Sequence, residues 1–244
     1  MENGEWQCDK KACPSTCEVY GDSHIMTFDD KKYQFAGECD YVYAEKTGVF
    51  KITASNEKCG STGTVCTKFI TLTVGDSSIK LVRGAPITTE RDSAFNLKFA
   101  GLWIFVETEI GVTLMWNKGT HMIIKLDPKY KSSGMKGLCG DYNGEINSDL
   151  VQRNGVPTEA VTDFAHSWRE RQDYEMAIEA PSAREINPAR KNWASRKCSL
   201  IKDPKVFGAC HDHVDPEWYF NNCEQDSCAC DTGGECECLC TAVG

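Results

Sequence analysis

The sequence predicts a mainly β protein, an antiparallel β-sandwich followed by a small disulfide-rich module with short helices. Between Cys17 and about Leu126, short runs of β-branched and aromatic residues alternate with Gly and Asp punctuation, a pattern typical of antiparallel sandwiches. Seven cysteines then lie within about thirty residues, from Cys210 to Cys240. A segment of that size has too thin a core to fold without covalent bridges.

The candidate strands follow one another in chain order. They occupy residues 41–43, 49–54, 69–74, 101–106, 112–116 and 121–126. Asn117, Lys118 and Gly119 lie between the last two runs and predict a tight hairpin turn. Beyond the strands, Val161, Phe164, Ala165 and Trp168 recur at helical spacing behind Pro157 and Thr158. Residues 169–189 are mostly polar and predict a linker.

Cysteine and charge restrict the class of protein. The chain has 15 cysteines, and those of the tail do not repeat the C-x2-C spacing of zinc knuckles. We therefore favour disulfides over zinc, and an oxidising, extracellular setting. The odd count leaves at least one thiol for an intermolecular bridge, a reactive role or a missing partner. The net charge of -9 disfavours nucleic acid and anionic membranes, and no apolar run approaches a membrane span.

One segment has the composition of a metal-binding loop. From residue 141, oxygen-bearing side chains fall at every second position: Asp141, Asn143, Glu145, Asn147 and Asp149. Calcium takes six to eight such hard oxygen ligands. The pattern resembles an EF-hand loop but lacks the bidentate Glu at the twelfth position, where Gln152 stands. The alternative is a solvated turn, because Asn, Asp and Gly favour turns without any metal.

Several motifs, in family order, resemble a von Willebrand factor type D domain. These segments are residues 17–24, 27–37, 39–42, 59–66 and 137–144. The tail, with its Cys228 to Cys240 run, resembles the C8 module that follows such domains. The resemblance covers almost the whole chain and is strongest to the third D assembly of gel-forming mucins and von Willebrand factor. It implies a preceding cysteine-rich module ending in 1–16, a type D domain at 17–170, a linker at 171–191 and a C8 module, truncated at its end, at 192–244.

The same resemblance implies particular residue roles. Asp29, from the early Thr-Phe-Asp motif, is expected to join the 137–144 loop around calcium. The implied disulfides are Cys17 with Cys139 and Cys59 with Cys66. Two cysteines of the C8 region, by position Cys198 and Cys240, are expected to link one protomer to another. The alternative, in which both close within the domain or reach a downstream module, stays open.

Departures from the family pattern concern the remaining cysteines. Lys136 stands where relatives often have the first cysteine of a C-G-L-C motif, and its usual partner is missing too. The loss of both halves removes a C-x-x-C motif and with it the expectation of oxidoreductase activity. Cys39 lacks the partner that relatives place after Trp168.

The expected function is structural. We expect a secreted, calcium-stabilised unit of a multimeric, mucin-like glycoprotein that associates with itself through disulfides and contacts neighbouring modules of a larger chain. The alternative is an extracellular adhesion or recognition module that binds a protein or glycan without polymerising. No enzyme is expected, because no nucleophile elbow or phosphate loop occurs. His211 and His213 remain open as zinc ligands or pH sensors.

Overall fold

The structure is a computed structural model and describes residues 12–21, 23–58, 65–90, 94–170 and 188–229. Cys59 and Cys240, and most of the expected 1–16 module and 171–191 linker, lie outside these residues. No helix in the described ranges is both long and apolar enough to cross a membrane.

Twelve strands form within the described residues, and they confirm the predicted mainly β class. In chain order they are β1 (Ser15–Tyr20), β2 (His24–Met26), β3 (Lys32–Gln34), β4 (Asp40–Lys46), β5 (Phe50–Lys58), β6 (Val65–Val74), β7 (Ser77–Val82), β8 (Thr88–Glu90), β9 (Asn96–Ala100), β10 (Trp103–Glu107), β11 (Val112–Trp116) and β12 (Met122–Leu126). The sequence runs marked six of these strands and missed β1 to β3 and β7 to β9, each of which has six residues or fewer.

The strands build two antiparallel sheets. One has seven strands in the order β3-β2-β1-β12-β11-β10-β9, and the other has five in the order β4-β5-β6-β7-β8. Alternate residues along the central strands are buried, as in β11, where Val112, Leu114 and Trp116 point inward. Buried side chains of both sheets belong to one hydrophobic core, so the sheets pack face to face as a sandwich.

The predicted hairpin between the last two strands is present. Trp116 pairs with Met122 across the turn. The Asn117 side-chain oxygen accepts hydrogen bonds from the backbone N–H groups of Gly119 and His121, at 2.8 and 3.0 Å. Lys118 takes the left-handed conformation, with φ of 64°. The Asn side chain therefore replaces backbone partners inside the turn, as Asx turns do.

Four α-helices follow the strands in the residues that the structure describes. They are α1 (Val161–Ser167), α2 (Pro188–Cys198), α3 (Pro204–His211) and α4 (Pro216–Ala229). The first is the predicted helix, in which Phe164 and Ala165 are buried. The second begins inside the segment that we expected to be linker up to residue 191. Proline is favoured at the first position of a helix, since its missing N–H has no intrahelical partner there.

The C-terminal helices pack against the edge of the seven-stranded sheet. Trp218 on α4 donates a hydrogen bond to the hydroxyl of Tyr20 on β1, at 2.8 Å. His24 Nε2 on β2 lies 2.8 Å from Asp226 Oδ1, and both side chains are buried. Lys32 lies over the ring of Tyr219 at 4.8 Å. The helical module is therefore docked to the sandwich through polar and aromatic contacts.

Candidate functional site

Two loops that are distant in sequence meet at one end of the sandwich. The first joins β2 to β3 and carries Asp29, and the second follows β12 and carries residues 137–149. A buried disulfide between Cys17 and Cys139, the pair that the resemblance implied, joins β1 to the second loop, with Cα atoms 5.7 Å apart. The Phe28 N–H donates to the Cys139 carbonyl at 3.0 Å. These bonds hold the two loops side by side.

Gly140 lets the second loop fold tightly onto its own acidic end. Its φ is +81°, and a Cβ there would lie 2.1 Å from Asp149 Oδ1. Any side chain would therefore collide with the carboxylate and would also strain the backbone. The close approach of backbone to Asp149 depends on glycine at this position.

Three carboxylates converge where the loops meet. One oxygen from each of Asp29, Asp141 and Asp149 lies within 4.8 Å of the others. Asp149 is 2% exposed, and burial raises its pKa to about 6, helped by the neighbouring charges of Asp29 and Asp141 and opposed by the hydrogen bond from Thr27. Burial also raises the pKa of Asp141, and the Asp29 charge adds to this. Buried carboxylates this close together destabilise the folded state when they are ionised, unless a cation balances their charge.

Hydrogen bonds from the loops orient two of these carboxylates. The backbone N–H groups of Asn143 and Gly144 donate to the two oxygens of Asp29, each at 2.9 Å. The Thr27 hydroxyl donates to Asp149 Oδ2. Asp141 Oδ1 is different, because it is buried and has no hydrogen-bond partner. A buried carboxylate oxygen without a hydrogen-bond donor has the chemistry of a ligand for a hard cation.

The other predicted ligands lie around this cluster in different ways. The Asn143 side-chain nitrogen donates to Asp141 Oδ2 at 2.8 Å, while its oxygen accepts from the Glu145 N–H at 2.6 Å. Glu145 and Asn147 have exposed side chains. The reason is a 3-10 turn at Ile146–Ser148, which breaks the two-residue alternation that would have aimed all the side chains inward. The structure thus assembles three carboxylates, with Asn143 beside them.

Two residues at the cluster were absent from the predicted set. The Thr27 hydroxyl donates a hydrogen bond to Asp149, and Ser148 Oγ accepts one from the Asn143 side-chain amide at 2.7 Å. Thr27 stands two positions before Asp29 in the quoted motif, so that motif carried the signal. Ser148 carried none, because a serine in a polar loop is common.

The cysteines of the helical module differ from the expectation. Cys198 bonds Cys223 across 25 residues, and both are fully buried. This corrects the expectation that Cys198 links two protomers, because its sulfur is already bonded inside the module. Cys210, on α3, is exposed and forms no disulfide. Cys66 is disulfide-bonded, while its implied partner Cys59 and the second intermolecular candidate Cys240 lie outside the described residues.

The histidines of the same module do not gather metal ligands. His211 Nε2 lies 2.8 Å from the Ile201 carbonyl oxygen. One ring nitrogen of His211 is therefore engaged in a hydrogen bond within the module. Among the described residues, the three carboxylates are the only group of metal-ligating side chains that meet closely. The zinc alternative at His211 and His213 therefore has no support from the described part of the chain.

Comparison with known families decides the identity of the sandwich. The model of the von Willebrand factor type D domain matches residues 17–156, more than half of the chain. The chain belongs to the von Willebrand factor type D family. The C8 domain model matches residues 197–244, which places helices α3 and α4 of this type D protein in a C8 module. The family and its disulfides together put the chain in an oxidising, extracellular setting.

The relatives of this type D chain include very large proteins. Mucin-2 of Rattus norvegicus is 38% identical over 252 residues, which is 99% of this chain and 16% of the relative. Mucin-5AC of Homo sapiens is 36% identical over 250 residues, covering 98% of this chain and 4% of the relative. SCO-spondin of Rattus norvegicus is 34% identical over 255 residues, covering 99% and 5%. The chain therefore spans a small part of the length of these relatives.

Proposed function

We propose that this chain is a calcium-stabilised, disulfide-rich unit of a secreted multimeric glycoprotein, and that it mediates covalent self-assembly. The observation that carries the proposal is that some of its cysteines form buried disulfides while another is exposed as a thiol. Cys17–Cys139 and Cys198–Cys223 are buried inside the protein, whereas Cys210 is exposed on a helix of the C8 module. A rigid body with an exposed thiol can be joined to a second copy without loss of its own fold.

Calcium is the cation that best suits the three-carboxylate cluster. Asp29, Asp141 and Asp149 would hold it, and Asn143 could add its amide oxygen after a rotation of the side chain. These are all hard oxygen donors, and loop-borne donors tolerate the variable distances that calcium accepts. The bound ion would neutralise the repulsion that raises the pKa values of Asp141 and Asp149. It would also join the β2–β3 loop to the loop after β12.

Cys210 is our candidate for the intermolecular bond. It lies four residues after Val206 on α3, so both side chains share one face of the helix. Val206 is 54% exposed, and none of the residues of α3 is buried. The thiol therefore lies on an accessible, partly apolar helix face, where a second copy can approach closely.

Electrophoresis of the oxidised protein tests this assignment. We expect disulfide-linked dimers or larger species on non-reducing gels, and monomers after reduction. Cys210→Ser should remove most of the linked species, and Cys13→Ser, at the other exposed cysteine outside a disulfide among the described residues, is the matched control. A parent protein that stays monomeric after oxidation would contradict self-assembly and favour the recognition alternative.

A further inference from the structure

A polar cavity lies on the type D domain away from the carboxylate cluster. Its volume is about 270 Å³, and its lining comprises Glu45, Thr47, Lys51, Lys136, Arg153 and Trp168. These residues come from β4 and the turn after it, the start of β5, the loop after β12 and the segments on either side of α1. The chain as a whole carries a net charge of -9, yet this cavity gathers three cationic side chains.

Arg153 is held in a defined position at the cavity wall. Its guanidinium lies over the ring of Trp168 at 5.3 Å, and Trp168 is 4% exposed. The indole is itself anchored, because its N–H donates to the Val151 carbonyl at 3.1 Å. The Arg153 backbone N–H donates to Ser167 Oγ at 3.0 Å. A guanidinium stacked on a fixed ring keeps its N–H edges available for a planar or tetrahedral anion.

The neighbouring charges leave Arg153 only weakly paired. Its terminal nitrogen lies 3.9 Å from Glu170 Oε2, at the far limit of an ion pair. Glu170 makes its closer contact with Lys51 instead. Lys136 is exposed, and its backbone pairs with Glu45 through two hydrogen bonds of 2.8 and 3.0 Å. An arriving anion therefore meets a guanidinium with unused donors and a lysine across the cavity.

The cavity also contains groups that suit hydroxyls. A site for a simple anion needs only donors, but Glu45 is an acceptor, and Thr47 both donates and accepts. Sugar hydroxyls need such acceptors when they leave water. The volume of about 270 Å³ lies just below the roughly 300 to 1,000 Å³ of pockets for drug-sized ligands, so it suits a single sugar ring.

We propose that this cavity binds one acidic sugar unit, a ring that bears a sulfate ester or a carboxylate. Arg153 and Lys136 contact the acidic group, and Glu45 and Thr47 accept hydrogen bonds from hydroxyls of the ring. Trp168 positions Arg153 from beneath. The site is separate from the carboxylate cluster and from Cys210, so it gives the chain a recognition function in addition to assembly.

Binding of single sugars to the full chain tests the proposal. Galactose 6-sulfate and N-acetylneuraminic acid are titrated by calorimetry, with galactose and inorganic sulfate as comparison ligands. We expect at least one of the acidic sugars to bind more tightly than galactose or sulfate. Its affinity should decrease with added salt, because salt screens the charges. The preferred acidic sugar distinguishes a sulfate ester from a carboxylate.

Two cavity variants and one control complete the test. Arg153→Gln should weaken binding about tenfold, the cost typical of losing a charge-assisted hydrogen bond. Lys136→Gln, at an exposed position, should weaken it by a smaller factor without a folding defect. Arg83→Gln, at an exposed arginine outside the cavity, should leave binding unchanged. Absence of binding by both acidic sugars, equal affinity for galactose or free sulfate, or undiminished binding by both cavity variants would overturn the proposal.

Discussion

At the scale of single residues, Asp149 is a buried acid among other acids. It is buried beside two other carboxylates, accepts from Thr27, and lies against the backbone of Gly140. Its folded pKa of about 6 lies above the roughly 3.9 of an unfolded aspartate. Without a cation, the cluster would thus be destabilising at neutral pH, and a bound cation would reverse that effect.

Without calcium, the free energy of unfolding should depend on the protonation of Asp149. In chelator, the folded state binds a proton at Asp149 more tightly than the unfolded state, so stability should decrease as the pH rises from about 4 to about 6. The change should be on the order of 2 kcal/mol, measured by urea unfolding at several pH values. With calcium present, the melting temperature at neutral pH should rise.

Asp149→Asn is the variant that isolates this group. It should flatten the pH dependence in chelator and should also abolish the rise in melting temperature with calcium, because a ligand is lost. Unchanged calcium stabilisation in this variant would refute the assigned site. Asp127→Asn, at an aspartate outside the cluster, should behave like the parent in both measurements.

At the scale of elements, the loop after β12 decides whether the cluster forms. It is bonded to β1 by Cys17–Cys139, to β4 through the 2.8 Å bond from Cys139 N–H to the Tyr43 carbonyl, and to the β2–β3 loop by Phe28. Three separate elements therefore fix the position of one irregular segment. Irregular backbone that must hold ligands at set positions needs this kind of support.

Gly140→Ala should disrupt this loop, and Gly155→Ala provides a matched control. Both glycines have positive φ, +81° and +86°, but a Cβ at Gly155 meets no atom within 4 Å. Gly155→Ala should therefore cost only the backbone strain, about 1 kcal/mol. Gly140→Ala adds a collision with Asp149 and should cost clearly more in urea unfolding, with weaker calcium stabilisation. Equal costs for the two variants would contradict the close packing of backbone and carboxylate.

At the scale of the whole molecule, the described contacts between the sandwich and the helical module include one buried polar pair and several half-buried aromatic contacts. The pair of His24 and Asp226 lies at the centre of them, with Trp218 and Tyr20 beside it. Within residues 188–229, the helical module has two small hydrophobic clusters of its own. Its position, and with it the direction in which Cys210 faces, depends on this interface.

Asp226→Asn should loosen the module from the sandwich. It preserves the side-chain volume but replaces the carboxylate that is hydrogen-bonded to His24, and weakening a buried hydrogen bond of this kind typically costs about 1 to 3 kcal/mol. We expect faster hydrogen exchange and proteolysis of α3 and α4, with the sandwich strands still protected. Glu217→Gln, in the exposed pair with Lys202, is the control and should have little effect. Equal protection of α4 in the parent and in Asp226→Asn would contradict this account of the interface.

Local pattern was sufficient for six of the twelve described strands, the hairpin at Asn117, helix α1 and the family, because alternation, turn residues and motif order are properties of neighbouring residues. It also pointed to Asp29, Asp141 and Asp149. A 3-10 turn that the two-residue alternation did not indicate keeps Glu145 and Asn147 outside the cluster. Tertiary packing alone decided that Cys198 bonds Cys223 and that Arg153 stacks on Trp168. Those outcomes depend on which distant segments share a surface, and residue spacing along a chain carries no measure of that distance.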